Sequence, residues 1–298
     1  MGRVRRSLSI VKATALEILS EPLSLLVLLA ALVLTVFAPA FHYHQFGEAT
    51  RMARDAGLSS VFTCGAVIAV FGTIRSLRRE IESGTMAMAL AHSVSRTGFF
   101  LAKTCGSCAA YLAFASVVFL TSLVIVDGAA IGGALAAKSG DIARLYGPNL
   151  AEGVGVIVVP LVVAAALNRF ANMRFVLTSF VLAFALAVGC AADTLVRDTH
   201  WFLRLLPVAA LIAVFTSVLL SAAAALSVRL KANAAASGAG VVFLLSLPAI
   251  GNYYLAEALA KDGFVTWAYV GSAALAALPA ILLFLLLGNH FINGRDVT

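Results

Sequence analysis

Charge is scarce in this chain, and it is missing where the chain is most apolar. Asp, Glu, Lys and Arg make up 12% of the 298 residues against 62% hydrophobic residues, and no Asp, Glu, His or Arg stands in the middle of a long apolar run. So little charge cannot cover a water-facing surface, and a mean hydropathy of +1.01 excludes an ordinary soluble fold. The same scarcity argues against an ion-coupled carrier or a charge-lined channel, which set Asp, Glu, His or Arg inside their spans. Cysteine is also rare. Cys64, Cys105, Cys108 and Cys190 all fall within or beside apolar runs, so no secreted disulfide framework is implied. The net charge of +7 is dispersed over the ends of the apolar runs instead of forming one basic face, which argues against nucleic acid as a partner.

What the chain does contain is apolar runs near 22–41, 58–74, 99–126, 151–168, 175–192, 205–228, 239–256 and 265–288. Each approaches the ~20 residues a helix needs to cross a bilayer, and they are too long and unbroken for the alternating strands of a barrel. The expected fold is an all-α integral membrane protein, a bundle of six to eight transmembrane helices in a single domain over 1–298. Six is the count if the pairs 151–192 or 205–256, each split by a short turn, hide a re-entrant segment. Residues 1–21 repeat Val4, Leu8, Val11, Ala15 and Ile18 at helical spacing with Arg3, Arg5, Arg6 and Lys12 on the remaining surface, the pattern of an interfacial amphipathic helix. "APAF" at 38–41 has the small residues of a signal-cleavage site, but Glu17, Glu21 and the many later spans argue against cleavage. With both termini cytoplasmic, the inner segments hold fourteen Lys and Arg and the outer segments seven, in keeping with the positive-inside tendency.

Motifs for catalysis or metal binding are weak. "GGALAAKS" at 132–139 has Ala137 where a phosphate-binding loop requires Gly, and it falls in an expected external loop. "CGSC" at 105–108 lies at the start of a membrane helix, outside any redox-fold context. His42 and His44 lack a third ligand, and they read, like His200 with Trp201, as an interfacial belt. No nucleophile motif surrounds any serine. The chain carries no catalytic, cofactor-binding or metal-binding residues by this reading, and is not itself an enzyme.

The stretch 79–96, "REIESGTMAMALAHSVSR", is different. A charge cluster leads to Ser83-Gly84-Thr85, where Ser83 and Thr85 are candidate caps and Gly84 a bend. Met86, Leu90 and Val94 then recur every four residues as an apolar stripe.

These residues resemble the signature of ABC-2 type permeases, the membrane subunits of a class of ATP-driven exporters. Arg79, Glu80, Glu82, Gly84, Thr85, Val94, Ser95, Arg96 and Lys103 stand in the family's places, while Ser93 replaces its usual Pro and Ala102 its usual Gly. The turn "NRFANMR" and the C-terminal region from 253 onward are similar in pattern, and the chain looks closest to the branch grouped with multicopper-enzyme-maturation permeases. The resemblance implies a permease that couples ATP hydrolysis by a separate ABC ATPase subunit to export of a substrate. ATP and Mg would be bound by that partner and none by this chain, and a second permease subunit would complete a homo- or heterodimer in the cell (inner) membrane. It also implies that 79–98 is a cytoplasmic coupling segment. Arg79, Glu80, Glu82, Gly84, Thr85, Met86, Leu90, Val94, Ser95 and Arg96 would be the ATPase-coupling residues, with Glu80 and Glu82 facing basic groups of the ATPase. The alternative is an ATP-independent secondary transporter or channel.

Overall fold

The computed structural model describes residues 2–37, 49–84, 95–139, 149–197, 199–251 and 265–294. Of these, 94% are helical and none forms a strand. The elements are α1 (Gly2–Leu19), α2 (Pro22–Phe37), α3 (Ala49–Val67), a π-helical turn (Ile68–Gly72), α4 (Thr73–Glu82), α5 (Arg96–Ser139), α6 (Asn149–Ala171), α7 (Phe175–Arg197), α8 (His200–Arg229), α9 (Ala232–Gly251) and α10 (Trp267–Asn293). Through the π turn, α3 and α4 form one long helix.

Six of the described helices are long and apolar enough to cross a membrane: Thr50–Glu82, Arg96–Ile131, Asn149–Ala171, Phe175–Arg197, His200–Arg229 and Trp267–Asn293. A seventh is added if α1 and α2, bent by 64° at their break, make one span. The chain is therefore a multi-pass membrane protein. The run at 22–41 is shorter in the structure than in the sequence, because α2 holds only 16 residues. That at 239–256 leaves the described residues at 252, and within α9 the apolar helix is Ala232–Leu244. Four buried threonine hydroxyls add little cost to these helices. Thr35, Thr104, Thr121 and Thr216 each donate to the carbonyl four residues earlier at 2.8–2.9 Å, so the polar atom is satisfied without water or a partner helix.

The chain divides into two compact units. The first comprises Met1–Ile18, Ala66–Leu112 and Ala210–Thr298. Its core joins Leu77, Phe99, Phe100, Ala224, Val228 and Ile292, with a second cluster at Ile74, Ala223, Ala235 and Ala239. Along α8, Leu219, Leu220 and Ala222 to Ala225 are all buried, so this stretch of the helix is covered on every side; the four small residues let its neighbours approach closely. The helix α1 buries Thr14 and Ile18 and exposes Leu8 and Leu16. Gly106 makes room for it: a Cβ there would lie 2.8 Å from the Val11 carbonyl oxygen.

The second unit comprises Leu19–Gly65 and Ala113–Ala209. In it α6 and α7 form a hairpin closed by Asn172, whose φ of 53° is left-handed, and by Asn168 Nδ2 donating to the Met173 carbonyl at 2.6 Å. Both helices leave wide apolar surface open, including Val158, Val162, Val181 and Val188. The buried Asn149 donates to the Val124 carbonyl at 3.0 Å and to Asp127 Oδ2 at 3.3 Å.

Candidate functional site

The site lies in the first unit, where α4 runs out of a spanning helix. Its sequence, TIRSLRREIE, buries Thr73, Ile74, Ser76 and Leu77 and exposes Arg75 and Arg79. Ser76 and Glu80 stand four residues apart on the buried face, so the apolar stripe of α4 is interrupted by two polar groups that need partners.

Lys103 on α5 meets that need. Its side chain is 3% exposed, and its Nζ lies 2.6 Å from Glu80 Oε1, 3.3 Å from Glu17 Oε2 and 3.1 Å from Ser76 Oγ. An ammonium has three N–H donors, and here it has three acceptors, supplied by α1 and α4. Ser76 Oγ in turn donates to Glu17 Oε2 at 3.0 Å. A lone buried ammonium would cost several kcal/mol, roughly, in desolvation; two carboxylates and a hydroxyl offset this, so helices α1, α4 and α5 hold their register or leave a charge unpaired. The carboxylates are about a quarter exposed, at 26% and 27%.

The described flanks of the stretch 79–96 are also fixed. Ser83 ends α4, its N–H donating to the Arg79 carbonyl at 2.9 Å, and Gly84 follows with a φ of +70°, a left-handed conformation that an L side chain resists. The expected bend at Gly84 is thus present. On the far side Ser95 caps α5, its Oγ accepting from Gly98 N at 3.1 Å. Arg96 Nη1 donates to the Asn293 carbonyl at 3.0 Å and Thr97 Oγ1 to Asn289 Oδ1 at 2.7 Å, fastening the start of α5 to the end of α10.

The expected coupling residues therefore separate into groups. Glu80 is turned inward onto Lys103, which differs from the expectation that it faces a partner: Ser76 and Glu80 share the buried face, so its carboxylate serves the cluster. Glu82 is the outward acid, 62% exposed and 2.6 Å from Arg78 Nη2, and Arg79 is exposed. Ser95 and Arg96 fix the second flank. Thr85, Met86, Leu90 and Val94, like Met88, lie outside the described residues. Glu17 and Ser76 had no place in the sequence reading as site residues. The signal for them was Lys103, a cation within the run 99–126 that had to find carboxylates if the run was buried.

The other candidates resolve differently. "GGALAAKS" belongs to the helical end of α5, which runs to Ser139, so the external loop expected there is replaced by helix and lacks the backbone shape of a phosphate cradle. Cys105 and Cys108 are free thiols on α5. His200 packs edge-on to Trp201 at 5.5 Å, with Arg204 over the same indole at 5.7 Å. His42 and His44 lie outside the described residues. Among the described residues no three His, Cys, Asp or Glu side chains gather as metal ligands. No family model, curated protein or solved structure matches the chain.

Proposed function

We propose that this chain is the membrane-spanning permease subunit of an ATP-driven exporter of the ABC-2 type, working as a dimer with separate ATPase subunits in the cell membrane, both termini cytoplasmic. In this reading α1 lies at the membrane interface and the segment between α4 and α5 is the coupling element. The observation that carries the proposal is the 2.6 Å ion pair between Glu80 and Lys103. Two letters of the resemblance, 23 positions apart and on opposite sides of the loop, meet at its base. A lever that converts closure of an ATPase into movement of spans must be rigid where it joins them, and a buried pair between α4 and α5 meets that demand. Arg79 and Glu82 are left as the exposed charges for registering on a partner.

One observation favours a second reading, an ATP-independent secondary transporter. The cluster of Glu17, Glu80 and Lys103 is the kind of buried ionisable group that ion-coupled carriers use. Purification of the tagged chain from its native membrane in mild detergent separates the two. The permease reading expects a stoichiometric second subunit and vanadate-sensitive ATP hydrolysis in the purified complex; a pure chain without ATPase activity, moving solute in liposomes, would establish the carrier instead.

A further inference from the structure

The first unit contains an open cavity of ≈ 400 Å³ lined by Val228 and Arg229 of α8 and by His290, Phe291 and Gly294 at the end of α10. Its position follows from the sequence. The apolar stretch of α8 ends at Arg229 and that of α10 ends at His290, so both basic side chains stand where hydrocarbon gives way to headgroups in any bilayer the two helices cross.

A cation in the last turn of a helix is an ordinary complement to its dipole. This arrangement goes further in three ways. Two spanning helices bring their basic residues to one cavity, instead of each facing solvent separately. The Arg229 guanidinium lies over the Phe291 ring at 5.3 Å from its centroid, which fixes the direction of its donors. Among the described residues Arg229 and His290 have no carboxylate partner, although Lys103 in the same unit has two. An oriented guanidinium and an imidazole, with an aromatic and a valine beside them, present donors to an anion and apolar surface to what it is attached to.

We infer that this cavity binds a phosphate-bearing anion, with Arg229 as its main donor, His290 as a second, and Phe291 and Val228 against the adjoining carbon chain. An anionic lipid headgroup and a soluble phosphate share this chemistry. The inference is independent of the permease proposal, since it requires only that α8 and α10 end at a membrane surface.

The test is thermal unfolding of the full purified chain in mild detergent, titrated separately with phosphatidylglycerol, phosphatidylcholine and inorganic phosphate. Phosphatidylglycerol should raise the midpoint by roughly 5 °C at saturation, phosphatidylcholine should not, and Arg229→Gln with His290→Gln should reduce the rise to roughly a third or less. The same pattern with inorganic phosphate alone would retain the site and assign it to a soluble anion. Gly294→Trp provides a second arm that leaves Arg229 and His290 in place. The backbone there has φ −82°, and among the described residues an added Cβ would meet only the His290 carbonyl, at an ordinary 3.5 Å, so the substitution tests occupancy of the cavity without backbone strain. It too should lower the rise. Equal stabilisation of wild type and all variants, equal stabilisation by phosphatidylcholine, or no stabilisation of wild type by any of the three would overturn the inference.

Discussion

Two stretches with basic residues, 79–96 and 168–174, lie between long apolar helices of this chain, and their described residues are held by different means. The second is a hairpin end. Asn172 takes a left-handed conformation, Asn168 reaches the Met173 carbonyl, and Phe170 and Met173 are exposed. Local geometry is sufficient to close it, and its Arg169 and Arg174 take part in no ion pair among the described residues. At the first, the helices on either side are fastened by a buried ammonium shared between α1 and α4, by a cap at Ser95 and by bonds from Arg96 and Thr97 to α10. Connecting two spans requires only the first kind of construction. The extra fastening at the flanks of 79–96 distinguishes that segment from the hairpin it resembles in composition.

The largest way to break this contrast is at Lys103. Lys103→Met leaves Glu17 and Glu80 at the buried site without their cation, and should destabilise the first unit by about 3–5 kcal/mol, seen as a thermal midpoint lower by on the order of 10 °C. Adding Glu80→Gln and Glu17→Gln removes the stranded charges and should recover most of that loss. Failure of the triple variant to recover would mean that Lys103 matters through packing of its stem and not through charge. A smaller effect is expected at Gly84. Among the described residues nothing lies within 4 Å of an added Cβ, so Gly84→Ala meets backbone strain of about 1–2 kcal/mol, read as a lower midpoint and earlier proteolysis at the end of α4. At the hairpin, Asn172→Gly should move stability by less than about 0.5 kcal/mol, because the left-handed turn is kept.

The helical, membrane-spanning character of the chain was legible because it rests on run length and hydropathy, properties each segment carries by itself. The bend at Gly84 was legible from the residue type alone, since glycine adopts backbone angles that other residues resist; that the bend ends α4 in a left-handed conformation was not. The partners of Lys103 were not. Glu17 lies 86 positions away, and its acid looked like one more polar residue on an amphipathic helix; only packing of α1 against α5 at Gly106 brings it near. The inward turn of Glu80 was hidden likewise, since pairing at i and i+4 with Ser76 gains meaning only once α5 covers that face. The helical end of α5 at 132–139 was missed because the apolar run was ended at 126, whereas α5 continues as helix to Ser139.

The central claim is that 79–96 is the handle for an ATPase and 168–174 is not. Charge reversal in each stretch, followed by purification and assay for any co-purifying vanadate-sensitive ATPase activity, tests it directly. Arg79→Glu with Glu82→Lys changes exposed residues outside the Lys103 cluster, and should strip the ATPase from an inserted, folded chain; Arg169→Glu with Arg174→Glu should leave it bound and active. An ATPase retained by the first variant as fully as by the second, or absent from the wild-type chain, would contradict the account.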